Sequence, residues 1–193
     1  MWVILVMFSI CFHEYAHAYI ALKQGDSTAA EKGHLSLNPM IQMGTVSIVM
    51  LLIIGISWGA VPVNPSRMKH KYSHALVSFA GPAANLLLFL IFCLLTVLFQ
   101  NTNVNTYKDM FYLGAKLNMV LFLFNMLPVP ILDGWTVFSY IFPKLREVGD
   151  EVKNGMVFMV FVLFFMTDLF NGLFVFGEKL AVFVIRTLLT IAA

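Results

Sequence analysis

The sequence predicts an all-α integral membrane protein, a polytopic helical bundle of about 4–6 transmembrane helices. It places a re-entrant or hairpin segment near 44–65 and a proline-broken helix at 126–133. Three observations lead there. Hydrophobic residues make up 60% of the 193 positions and charged residues 11%, against roughly 45–50% and 25% in a soluble domain. Mean hydropathy is +0.86. The apolar residues fall in runs near the roughly 20 residues that a helix needs to cross a bilayer. A soluble fold has no interior for so much apolar surface, and the same surplus excludes disorder. Lipid covers what the protein does not. The net charge of +2, with no basic stripe, excludes a nucleic-acid partner. One membrane-embedded domain over 1–193 is expected, with its core at 4–142 and C-terminal helices over 156–193.

Taken in order, Met1–Leu22 is the first span, uncharged before His13. With no basic lead, and with His13 and Glu14 where an apolar core should be clean, it does not read as a secretory signal. Lys23–Asn38 is polar. Gly44–Trp58 is apolar but short, and is punctuated by Gly55. Ala60–Tyr72 carries Pro62, Pro65, Arg67, Lys69 and Lys71, and reads as a loop. Ala75–Phe99 is a long span without charge, and Gln100–Lys108 is a polar loop. Met110–Met126 is apolar again. Pro128 and Pro130 break the helix, since each lacks an N–H and restricts the residue before it. Asp133–Phe142 resumes it, Pro143–Gly155 is a charged loop, and Met156–Phe176 is another span. Glu178–Ala193 is a last span or an interfacial helix. Cys11 and Cys93 sit in apolar runs and read as small core residues, with no disulfide framework.

Loop charge orients the chain. If Gly44–Trp58 crossed fully, Lys23, Lys32 and Lys108 would face six cations on the other side. If it doubles back, Lys23, Lys32, Arg67, Lys69, Lys71, Lys144, Arg146 and Lys153 share one face and only Lys108 lies opposite. The second arrangement obeys the positive-inside tendency better. It puts Lys23–His74 and Pro143–Gly155 in the cytoplasm. No internal repeat or inverted pair of broken helices of the transporter kind is visible.

The chemistry concentrates in His13-Glu14-Tyr15-Ala16-His17. On a helix, positions four apart share a face, so both imidazoles can reach one metal ion. Glu14 lies about 100° around the helix, near enough to hold a carboxylate over metal-bound water, the arrangement of a zinc peptidase. Three ionisable side chains on an apolar helix cost roughly 1–3 kcal/mol each unless they face the bundle and are paired. Catalytic zinc sites usually have three protein ligands, and Asp133 and Asp168 are the intramembrane candidates for the third. Counting about 1.5 Å per residue from the nearest basic loop residue puts His13 and Asp133 at about 15 Å and Asp168 at about 22 Å. Depth therefore favours Asp133 and leaves Asp168 as a packing or lumen-facing carboxylate. His70 and His74 are also four apart, but in a basic polar stretch without a carboxylate between them. His34, between Gly33 and Leu35, reads as a surface residue near the site entrance. Asn125, ahead of the prolines, is either a donor to a substrate carbonyl or interhelical glue. The unwound stretch at Pro128 and Pro130 is tolerated in a membrane only where it is buried in protein or lines a wet cavity.

Together, His13-Glu14-Tyr15-Ala16-His17 and the downstream Asn125…Pro128…Leu132-Asp133-Gly134 resemble the site-2 protease family of intramembrane metalloproteases. Gly33-His34-Leu35-Ser36-Leu37-Asn38-Pro39, Val61-Pro62-Val63-Asn64-Pro65 and Ala80-Gly81-Pro82-Ala83-Ala84-Asn85 resemble a compact bacterial and archaeal subgroup. The resemblance implies that His13, His17 and Asp133 ligate one Zn2+ per chain, that Glu14 is the general base, and that Asn125 assists. It implies that Gly81, Pro82 and Asn85 belong to a core helix beside the zinc. It implies cleavage of transmembrane segments of other proteins within the bilayer. The chain departs from the larger members in lacking a PDZ domain and a long lead helix. A hydrated funnel from the cytoplasmic face is expected to bring water to the zinc, with the Gly44–Pro65 region moving to admit substrate. No Gly-x-Ser-Gly or Gly-x-Gly-Asp motif supports a serine or aspartyl mechanism.

Overall fold

The computed structural model describes residues 1–100 and 105–192, and among these the chain is helical with no strand. Helix α1 runs Trp2–Lys23 and is largely apolar, with Ser9, His13, Glu14 and His17 as its buried polar residues. It ends in a Schellman motif. Gly25 takes φ +100°, and the N–H groups of Gly25 and Asp26 close on the carbonyls of Leu22 and Ala21 at 3.1 and 2.9 Å. Two one-turn helices follow, α2 (Thr28–Glu31) and α3 (Pro39–Gln42). Asn38 caps α3 by accepting from Met40 N–H at 3.0 Å.

Helix α4 (Gly44–Ile54) has 11 residues, about 16 Å of helix and half of what a crossing needs. Gly55 ends it at φ +77°, and the chain returns in extended form. The buried Ser47 hydroxyl accepts from Trp58 N–H at 2.9 Å and donates to Trp58 O at 2.6 Å. Ala60 N–H reaches Gln42 O at 3.1 Å. The segment therefore doubles back on itself, as the loop charges suggested.

Helix α5 (Ser73–Leu98) is 26 residues long and continues through Pro82. Helix α6 spans Asn105–Asn125. Leu5, Ile10 and Cys11 of α1, Phe89, Phe92 and Cys93 of α5, and Leu117 of α6 form the buried core. Close packing of these side chains holds the three helices together. Both cysteines are free and buried there. Helix α7 (Asp133–Ile141) packs on α5, and a 3₁₀ turn at Pro143–Glu147 leads to α8 (Asp150–Met166) and α9 (Leu169–Ala192). Helix α9 packs on α6, where Tyr112 OH and Lys116 Nζ donate to the two carboxylate oxygens of Glu178 at 2.9 and 2.7 Å.

Three boundaries differ from the sequence reading. Helix α6 starts at Asn105, inside the expected loop Gln100–Lys108, of which residues 101–104 lie outside the described part. Helix α8 starts at Asp150, within the expected loop Pro143–Gly155. Asp150 and Glu151 in its first turn favour the positive end of the helix dipole. Met156–Phe176 is not one span, and Glu178–Ala193 is not a separate element. The chain breaks at Thr167, whose extended backbone and hydroxyl, accepting from Leu169 N–H at 3.3 Å, start α9 afresh. A short polar side chain that competes for backbone groups outweighs the apolar periodicity there. Trp2–Lys23 and Ser73–Leu98 have the length and apolar composition to cross a membrane.

Candidate metal centre

The two imidazoles of α1 meet the first residue of α7. His13 Nε2 lies 3.1 Å and His17 Nε2 3.4 Å from Asp133 Oδ2, and the two Nε2 atoms are 3.0 Å apart. Asp133 reaches them because Pro128 and Pro130 hold the chain non-helical before α7. Val129 N–H bonds Leu127 O at 2.8 Å and Leu132 N–H bonds Val129 O at 2.8 Å. Gly134 closes this turn: a Cβ there would meet the Leu127 carbonyl oxygen and the Met126 carbonyl carbon at 2.5 Å.

The ring protons are fixed by what lies behind the rings. His17 Nδ1 is 2.7 Å from Val77 O, which can only accept, so Nδ1 carries the proton. The His13 ring is set by a chain of two carboxamides. Asn118 Nδ2 donates to Gly114 O and Ser9 Oγ, both at 2.9 Å. Its Oδ1 therefore accepts from Asn85 Nδ2 at 3.0 Å, which turns Asn85 Oδ1 toward His13 Nδ1 at 2.5 Å. With both imidazoles neutral, the two Nε2 lone pairs and a carboxylate oxygen converge with no donor among them. Acceptors at 3.0–3.4 Å call for a cation. A point about 2.0 Å from all three atoms exists just off their plane, the bond length zinc makes to imidazole and carboxylate. Two nitrogens and one oxygen, with the far ring N–H groups on carbonyls, are the donor set and outer shell of such sites.

Helix α5 comes close enough to seat both rings because position 81 is glycine. A Cβ on Gly81 would overlap Nε2 of His13 and of His17. Gly59, on the extended return from α4, has the same relation to Glu14, whose carboxyl group would collide with any side chain there. The Glu14 side chain lines a cavity of about 220 Å³ together with the three converging groups, Gly59, Val61 and Asn125. Asn125 Nδ2 donates to Leu121 O at 2.9 Å, so the residue serves its own helix as well as facing the cavity. The segment that carries Gly59 and Val61 is anchored at Asn64: buried Asp26 accepts from Asn64 N–H at 2.5 Å and from Thr28 N–H at 3.0 Å. Burial raises the Asp26 carboxyl, but hydrogen bonds from Thr28 and Asn64 prevail and hold it below its ordinary value.

The other candidates stand elsewhere. Asp168 is exposed in the turn between α8 and α9. His34 is half-buried, pairs with Gln42 Oε1 at 3.1 Å, and is not one of the converging ligands. His70 stacks on Tyr72 at 5.1 Å and is exposed. Four contributors were not assigned from the sequence: Ser9, Asn118, the Val77 carbonyl and Gly59. Ser9 and Asn118 gave a signal, as polar side chains inside apolar runs. The other two contribute backbone alone, which residue type does not announce.

Known proteins resemble the chain along most of its length. The model of peptidase family M50 matches residues 100–167. The chain is 36% identical over 176 residues to "Putative zinc metalloprotease YwhC" of Bacillus subtilis, covering 86% of this chain and 80% of that one. It is 31% identical over 177 residues to the Rip2 protein of Mycolicibacterium smegmatis, which carries the same description, over 87% and 67% of the two chains. The similarly described MJ0611 of Methanocaldococcus jannaschii is 26% identical over 153 residues, 78% and 75% of the chains. No solved structure matches. The chain is helical, three of its side chains could hold one metal ion, and its relatives are described as zinc metalloproteases. The chain belongs to peptidase family M50, the site-2 proteases.

Proposed function

We propose that this chain is an intramembrane zinc endopeptidase that hydrolyses peptide bonds within transmembrane segments of other proteins. The observation that carries the reading is the convergence of His13 Nε2, His17 Nε2 and Asp133 Oδ2, which line one cavity with the Glu14 carboxylate. His13, His17 and Asp133 hold the metal. Zinc, when bound, lowers the pKa of water toward neutrality and polarises the scissile carbonyl. Glu14 takes the proton from the attacking water and delivers it to the leaving amine. Asn125, which lines the same cavity, orients the substrate carbonyl. Asn85 and the Val77 carbonyl keep both rings turned toward the metal.

The membrane setting supports the same reading. Besides α1 and α5, helices α6 and α9, with 21 and 24 residues, are long enough to cross. With α8 they make a polytopic bundle in the cell membrane, while α4 is re-entrant. The cationic loops put the zinc site nearer the cytoplasmic face. The α4 hairpin and the Gly59–Val63 segment flank the cavity, give water its path, and move to admit an extended substrate. The partners are lipid and membrane-spanning polypeptides.

Metal content and cleavage, measured together on the detergent-purified chain with a transmembrane peptide substrate, test this. Glu14→Gln should keep about one zinc per chain and lose about 10²–10⁴-fold in turnover. A Glu14→Gln protein that cleaves as well as wild type, or a wild-type chain that binds no metal, would sink the proposal.

A further inference from the structure

A second cavity, of about 400 Å³, lies along α7 and shares no lining residue with the cavity at the metal centre. It is bounded by the start of α5, one face of α7 and the segment from the 3₁₀ turn into α8. Its ionisable lining is basic: Lys71, His74, Arg146 and Lys153. Among the described residues no carboxylate lines it, and Lys153 Nζ pairs with the exposed Asp150 at 2.9 Å. Lys71, Arg146 and Lys153 carry positive charge, and among the described residues only Lys153 has a carboxylate partner, so the concavity presents net positive charge to an anion.

A second observation points inward. Ser139, only 6% exposed, lines this cavity, and its hydroxyl is the buried side-chain oxygen or nitrogen that has no partner among the described residues. A buried hydroxyl without a hydrogen bond is costly. On a helix it would ordinarily turn back to the carbonyl four residues earlier, and this one does not. Arg146 is fixed beside it, since its Nε donates to the Ser139 carbonyl at 2.9 Å and its guanidinium lies 5.9 Å from the centre of the Tyr140 ring. The remaining guanidinium donors are left for a ligand. A tetrahedral anion with several acceptor oxygens matches guanidinium, ammonium and hydroxyl donors arriving from different directions.

We propose that this cavity is a binding site for a phosphate-bearing anion, held by Lys71, Arg146 and Lys153 and hydrogen-bonded by Ser139. The site does not depend on the peptidase reading. The phosphate comes from a phospholipid headgroup or from a soluble phosphate, and the same measurement separates them.

Native mass spectrometry of the full chain released from detergent, with phosphatidylglycerol, diacylglycerol and inorganic phosphate as probes, tests it. Phosphatidylglycerol should be retained and diacylglycerol not. Both Arg146→Gln combined with Lys153→Gln, and Ser139→Ala alone, should cut retention about tenfold. Retention that excess inorganic phosphate cannot displace assigns the headgroup, and binding of phosphate without lipid assigns a soluble source. Ser139→Ala removes one unpartnered oxygen, so its melting temperature should not fall, and it keeps the test valid where the double variant fails to fold. Undiminished binding in a folded variant, or equal retention of diacylglycerol, overturns the site.

Discussion

Asn85 Oδ1 receives the Nδ1 proton of His13 at 2.5 Å, and Asn118 holds that carboxamide in place at 3.0 Å. The metal-facing edge of His13 is thus set by two residues that never face the metal. Outer-shell partners of this kind typically carry about 10–100-fold in metal affinity. Asn85→Ala should weaken zinc binding by that factor, read by competition with a chromogenic chelator. Unchanged affinity would show that the carboxamide does not govern the ring.

Two glycines make opposite predictions. Gly81→Ala puts a methyl group onto both imidazole Nε2 atoms and should reduce bound zinc well below one per chain. Gly59→Ala meets the Glu14 carboxyl group instead. It should leave zinc in place and depress turnover. Elemental analysis beside a cleavage assay distinguishes them, and equal metal loss in both variants would refute the division of roles.

The α6–α9 contact is chemically specific. Glu178→Ala strands Lys116 and Tyr112 together and should destabilise the chain by about 1–3 kcal/mol. Lys116→Leu with Glu178→Leu should cost less than the two single changes added together. Additive losses in detergent melting curves would mean that the pair is not coupled.

Asp26 gives a pH dependence. Its carboxyl is held below the ordinary value in the folded chain, so it stabilises the fold above the unfolded carboxyl pKa of about 3.9. That contribution fades as pH falls through the folded value. Asp26→Asn should melt lower than wild type at neutral pH, and the gap should close below about pH 4. A gap independent of pH would assign the effect to packing.

Periodicity and loop chemistry made the convergence of His13, His17 and Asp133 and the hairpin legible, because each rests on residue type at fixed spacing. His13 and His17 share a helical face by geometry alone. Asp133 was reachable through depth, since loop cations mark where a membrane ends. The boundary at Thr167 was hidden because an apolar run reads as one helix, and one hydroxyl turned to the next backbone N–H is enough to divide it. Gly59 and the Val77 carbonyl could not be read, because they act through backbone brought close by tertiary packing. Ser139 was equally silent, since an unpartnered hydroxyl is a property of its surroundings.

His13 and Asp133 stand 120 positions apart in the chain. Any ion shared between them joins the first helix to the seventh as a cross-link would, closing most of the described bundle into one loop. The cysteines are free and supply no such tie. A closure of that length restricts the unfolded ensemble far more than the folded one. The centre that would cut other chains is therefore also the knot that keeps this one together, and a chelator would be felt as a loss of cohesion as well as of chemistry.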